Sequence, residues 1–236
     1  MKLQRLLIIQ RCKAVDANQS LKISTGIRKI DDLLSGGLPF GLITHVFGPR
    51  GSGKTLFSLH CALSAASHGR KVFYIDADHS LHPRMLLNFA PKNVLDRIML
   101  AKPNSFAEQE KLIERLYALL PPSSLVIVDS IASMYRLELG EKEQNIAVNR
   151  KLNLQLAELL DLAQETPSSI LLTNHVAVDP ELACVRPVGG NVVSYWSAIE
   201  LKLERLMPGK IRVTLVKGKG NVNSSAELTI KERKLI

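Results

Sequence analysis

The sequence predicts an α/β protein: a mostly parallel central sheet flanked by helices, with antiparallel strands at the C-terminal end. Three observations carry the prediction. Short apolar runs ending in an acid or a polar residue alternate with longer stretches of helical spacing, as strands buried on both faces alternate with helices. The last forty residues switch to an apolar/polar alternation, the mark of half-exposed antiparallel strands. Between the first long apolar run and the helix after it lies Gly48-Pro49-Arg50-Gly51-Ser52-Gly53-Lys54-Thr55, which fits the phosphate-loop pattern G-x-x-x-x-G-K-[ST] at each fixed position. At 236 residues and 46% hydrophobic content the chain suits one domain with a large core. No apolar run approaches the roughly 18 residues needed to span a bilayer, and Leu6-Leu7-Ile8-Ile9 is too short for a signal-peptide core. A cytoplasmic protein is expected, without membrane contact. Cys12, Cys61 and Cys184 are too scattered for a disulfide framework or a zinc site.

In chain order, residues 1–20 end in the polar run Asp16-Ala17-Asn18-Gln19-Ser20 and are read as an extension, residues 21–236 as the domain proper. Residues 21–24 suit a short strand, and Thr25 can cap a helix with apolar positions Ile27, Ile30, Leu33 and Leu34 that stops at Gly36-Gly37. Residues 42–47 form the strand before the phosphate loop and 56–66 the helix after it. A second strand, 71–76, delivers Asp76-Ala77-Asp78 to the sheet edge where the phosphate loop lies, the edge at which open parallel sheets bind ligands. Helices follow at 83–90 and 105–120, with a short strand at 97–100 between them, before Pro121-Pro122. Leu125-Val126-Ile127-Val128-Asp129 reads as a central strand, and its buried carboxylate requires a partner. A helix of about six turns at 141–164 precedes the strand 170–173, which ends in Asn174-His175. Residues 176–190, with Pro180, Pro187 and Gly189-Gly190, are expected to be loop. Alternating strands close the chain.

Each motif residue has a chemical reason. The glycines let successive backbone N–H groups turn inward onto phosphate oxygens. Lys54 supplies a point charge for the outer phosphates, and the Thr55 hydroxyl and Asp129 can hold Mg²⁺. Asp78, just past the second strand, is the candidate to align the attacking water, with Asp76 or Asp78 as a helix cap the competing role. Lys and Arg outnumber Asp and Glu by 31 to 22, and residues 201–236 hold nine basic and three acidic side chains. A basic surface suits a polyanion, or serves as a solubilising face.

The phosphate loop, Tyr74-Ile75-Asp76-Ala77-Asp78, Asp129-Ser130-Ile131-Ala132, Thr173-Asn174-His175 and Arg186-Pro187-Val188-Gly189-Gly190-Asn191 resemble the successive motifs of the RecA/RadA-type recombinases. Tyr135-Arg136-Leu137-Glu138-Leu139 is similar to the short archaeal RadB group in particular. The resemblance implies a RecA-like P-loop ATPase core, ATP and Mg²⁺ as cofactors, binding of single-stranded or branched DNA, and an accessory part in DNA repair and recombination with weak ATPase activity and no strand exchange. It implies recombination proteins as partners, such as the main recombinase or a junction nuclease, and self-association. Lys54, Asp78 and His175 would be catalytic. Gly48, Pro49, Arg50, Gly51, Ser52, Gly53, Lys54, Thr55 and Asp129 would bind nucleotide and metal. Lys217 and Lys219 resemble the basic finger that completes a neighbour's site in trans, or are an ordinary hairpin turn. DNA would touch the loop after the Asp129 strand, near Arg136, and the loop 176–190 at Arg186, with Lys202, Arg205, Lys210 and Arg212 added through phosphates. Tyr195 and Trp196 are candidates for base stacking or for packing. Asp78 replaces the family's longer glutamate and His175 its γ-phosphate-sensing glutamine. There is no Phe-x-x-Ala polymerisation motif, and twenty residues cannot hold the family's N-terminal DNA-binding domain. These departures favour binding ATP over consuming it. The rivals are a DNA-stimulated recombinase forming active filaments and a KaiC-type signalling ATPase.

Overall fold

The computed structural model of the chain describes residues 22–81, 86, 87, 89–179, 184–231, 234 and 235. The N-terminal extension and half of the expected helix at 83–90 lie outside them. A two-stranded antiparallel ribbon, β1 (Lys22–Ile23) with β2 (Leu38–Pro39), brackets α1 (Arg28–Leu33). Then follow β3 (Ile43–Gly48), α2 (Lys54–Ser67), β4 (Val72–Asp76), α3 (Lys92–Leu95), β5 (Ile98–Ala101), α4 (Phe106–Leu119), β6 (Leu125–Asp129), α5 (Ser133–Leu137) and α6 (Lys142–Glu165). The chain ends with β7 (Ser169–Asp179), β8 (Cys184–Pro187), α7 (Gly190–Trp196), β9 (Ile199–Met207), β10 (Lys210–Lys217), β11 (Ser225–Lys231) and β12 (Lys234–Leu235).

All but the first ribbon join one sheet in the order β12-β11-β10-β9-β3-β7-β6-β4-β5, with β8 on β7. From β5 to β9 the neighbours run parallel; from β9 to β12 they alternate in direction. The parallel centre is buried on both faces because successive side chains feed two cores. Val126, Val128, Ile170 and Leu172 meet Ile113 and Leu116 of α4 and Leu152, Leu156 and Leu159 of α6. Leu125, Ile127 and Leu171 belong to the opposite core with Phe57, Cys61 and Ala62 of α2, which also gathers Leu201, Leu203, Ile211 and Val213. Each such side chain contributes about 1.5–3 kcal/mol by leaving water. No described helix is long and apolar enough to cross a membrane.

Three expectations are corrected. Thr25 is not the N-cap of α1: Ile27 occupies that position, and the Thr25 hydroxyl accepts the Ile27 N–H (3.2 Å) and donates to Asp31 (2.7 Å), so the helix starts later. Residues 176–190 are largely a hairpin rather than loop. Val176, Ala177, Val178 and Asp179 pair with Pro187, Arg186, Val185 and Cys184, which supplies ladder bonds to a strand that otherwise leaves the sheet. Gly189, at φ 71°, then turns the chain into α7. Finally, the segment after β6 is not loop but the single-turn helix α5.

Candidate functional site

The C-terminal ends of β3, β4, β6 and β7 converge on one cleft of about 790 Å³, lined by Gly51, Gly53, Lys54 and Thr55 on one side and Asp78, Ser133, Arg136 and His175 on the other. Its floor is the phosphate loop. Gly53 caps α2 in the left-handed conformation (φ 95°), which a Cβ disfavours. Gly48 is required by space: a Cβ there would lie 2.2 Å from the Leu203 carbonyl oxygen of β9. Lys54 is 6% exposed, and its ammonium donates to the carbonyls of Gly48 (2.8 Å) and Pro49 (2.9 Å). Burial lowers its pKa, against the pull of Asp129 and Asp78.

Asp129 has the partners that its burial demands. Its Oδ2 accepts the Tyr74 hydroxyl at 2.6 Å, itself 2.6 Å from Ser58 Oγ, and its Oδ1 accepts the Thr173 hydroxyl. Burial nevertheless pushes the carboxyl up, outweighing donors that include the Thr55 hydroxyl, so the two candidate Mg²⁺ ligands are neighbours. Asp76 points elsewhere. It accepts the N–H groups of Ser80 and Leu81 (2.9 Å each) and pairs with Lys102 (3.0 Å), a turn-capping role.

Asp78 faces the cleft. Its Oδ2 lies 2.8 Å from His175 Nε2, its Oδ1 accepts the Ser133 hydroxyl, and its N–H donates to the Asp129 carbonyl (3.1 Å). Burial pushes its pKa up, but the bonds from His175 and Ser133 and the nearby charges of His175 and Lys54 prevail and hold it below the ordinary carboxylate range.

This donor set fits a Mg²⁺ triphosphate. The Ser52 hydroxyl is buried in the loop with no partner, and Gly51, at φ 77°, has nothing within 4 Å of where a Cβ would stand. The loop is therefore a cradle with spare donors, followed by a 14-residue helix whose N-terminus favours anions. Lys54, Ser52 and the loop amides would hold phosphates; Thr55 and Asp129 would hold the metal.

The proposed DNA contacts do not gather into one site. Arg136, on α5, sits at the mouth of the cleft itself, and Arg186 is on β8. Lys202, Arg205, Lys210 and Arg212 lie on β9 and β10, where Lys202 pairs with Glu204 (2.8 Å) and Arg212 with Glu227 (2.9 Å). Tyr195 is 74% exposed, whereas the Trp196 indole donates to Asn153 (3.1 Å). Lys217 donates to the Ser194 carbonyl of α7 at 2.6 Å, and so is engaged within its own chain; Lys219 is exposed in the bend after β10.

Tyr74, Thr173 and Ser133 escaped the sequence reading as site residues. Tyr74 lies mid-strand in β4 and Thr173 inside β7, where a hydroxyl among apolar neighbours flags a buried acceptor. Ser133 carries no sequence signal.

The Rad51 family model matches residues 16–234. The "DNA repair and recombination protein RadB" of Methanococcus maripaludis is 35% identical over 180 residues, covering 75% of this chain and 82% of that one. Its counterpart from Thermococcus gammatolerans is 34% identical over 196 residues, 80% and 86% of the two chains. The crystal structure of the RadB recombinase superposes with a TM-score of 0.76 at 30% identity, covering 90% of this chain and 98% of that one. With a RecA-like sheet, a phosphate loop and relatives of nearly the same length, the chain belongs to the Rad51 family and, within it, to the RadB DNA repair and recombination proteins.

Proposed function

We propose that the chain binds ATP with Mg²⁺, binds single-stranded or branched DNA, and serves recombinational repair as a cytoplasmic accessory protein with weak ATPase activity and no strand exchange of its own. One observation carries the reading: the acid placed to align water is present in the cleft but held on both oxygens, by His175 and by Ser133. Asp is also a methylene shorter than Glu, and a displacement of about 1 Å at a reacting centre can cost on the order of 10²-fold in rate. Bound ATP·Mg²⁺ supplies the phosphoryl group and the cation that offsets its charge. Lys54 and the loop amides orient the phosphates, Thr55 and Asp129 orient the metal, and Asp78 is the candidate to align water. Protein partners would be the main recombinase or a junction nuclease, with self-association placing Lys219 against a neighbour's nucleotide.

Titration with a fluorescent ATP analogue, with and without Mg²⁺, tests the binding. Hydrolysis and strand exchange, each with and without single-stranded DNA, test the rest. Tight Mg²⁺-dependent binding, slow turnover and no exchanged strands are expected; robust strand exchange would establish an active recombinase instead, and absence of DNA binding a signalling ATPase. A faster Asp78→Glu variant would identify acid length as the limit.

A further inference from the structure

We propose that Ser133 is a positioning residue that restrains Asp78 and thereby limits ATP turnover; this rests on Asp78 as the water-aligning acid. Ser133 opens α5 but does not cap it. The N-cap position is Ala132, no side chain caps the helix, and the Ser133 hydroxyl is aimed at Asp78 Oδ1 instead. Ser130 Oγ stands 2.6 Å from Ser133 Oγ and 3.5 Å from the same carboxylate oxygen, so two hydroxyls on the turn after β6 converge on it. His175 occupies Oδ2 from β7, and the Asp78 amide is fixed to the Asp129 carbonyl. A carboxylate offers about four lone-pair positions, and donors on both oxygens fix its plane and weaken it as an acceptor for water. The restraint from β7 sits on a strand buried in the sheet; the one from α5 sits on a helix of five residues that buries Met134 and Tyr135 and exposes Arg136 and Leu137. Ser133, Arg136 and Leu137 line the same cleft at i, i+3 and i+4, so the helix presents all three together.

The test compares kcat, KM and fluorescent-nucleotide affinity for the full-length wild type, Ser133→Ala and Ser133→Thr, each with and without Asp78→Asn. Removing the hydroxyl should raise kcat threefold or more while KM and nucleotide affinity stay within twofold. Ser133→Thr, which keeps a hydroxyl, should return kcat to the wild-type value. With Asp78→Asn the Ser133 effect should vanish. A kcat for Ser133→Ala within twofold of wild type overturns the proposal, as does a fall in kcat with a rise in KM that Thr does not rescue, or an Ala effect that survives Asp78→Asn. Turnover below detection in wild type and Ser133→Ala alike also overturns it. If Ser133→Ala melts before it can be assayed, Ser133→Cys carries the same comparison. The underlying reading fails separately: Asp78→Asn alone would then hydrolyse ATP as wild type does.

Discussion

The two halves of the sheet treat polar residues differently. In β4 and β6 every residue is buried, and an ionisable group survives there only in company: Asp129 has Tyr74 and Thr173, and Asp76 has two backbone N–H groups and Lys102. In β10 and β11 burial alternates, and outward-facing Lys210, Arg212 and Glu227 stand at little cost. A charge in the parallel half therefore marks a specific job, in the cleft for Asp129 and in a turn for Asp76. A charge in the antiparallel arm is nearly silent, because solvation alone explains it.

The largest effect that would sharpen this contrast is at Lys54. Truncating a buried charged partner costs about 2–5 kcal/mol of binding. Lys54→Ala should thus weaken a fluorescent ATP analogue by about 30-fold or more in an equilibrium titration, with little loss of thermal stability.

Next is Gly48→Ala, which drives a Cβ into the Leu203 carbonyl. Overpacking of this kind costs about 1–3 kcal/mol, and for a chain of this size each kcal/mol lowers Tm by about 2–4 °C. A melting curve indistinguishable from wild type would mean that the loop and β9 are not in contact.

Asp129→Asn should separate binding from folding. The folded carboxyl is raised by burial above its unfolded value of about 3.9. Its charged form thus costs stability at neutral pH. The loss begins as pH climbs past the unfolded value, proceeds through the raised folded one, and is constant above both. The Asn variant should lose Mg²⁺-dependent nucleotide affinity yet unfold at equal or higher denaturant concentration at pH 7, with a shallower fall in stability from acid to neutral pH.

The smallest effects belong to the arm. If its basic side chains touch DNA phosphates, Lys210→Ala and Arg205→Ala should each reduce the slope of log affinity against log salt by about one. Lys202→Ala and Arg212→Ala should change it less, since Glu204 and Glu227 already neutralise those groups. Equal slopes for all four variants would remove DNA from this face.

This contrast also decides what was legible. The parallel strands, the phosphate loop and the acid that ends β6 are written locally in spacing and residue type. The β7–β8 hairpin was not, because Pro180 and Pro187 look like loop residues until a partner strand is in place. Nor was α5, one turn long and without a side-chain cap. The clamp on Asp78 joins residues 52, 55 and 97 positions apart, and no periodicity reports such a meeting.

Gly48 rests on the Leu203 carbonyl of β9, and Gly53 lies under Ile211 of β10, so the antiparallel arm is the anvil on which the phosphate loop is shaped. A change in the twist of that arm would therefore be felt by the loop backbone through direct contact. Two surfaces that look remote across the molecule share a single piece of masonry.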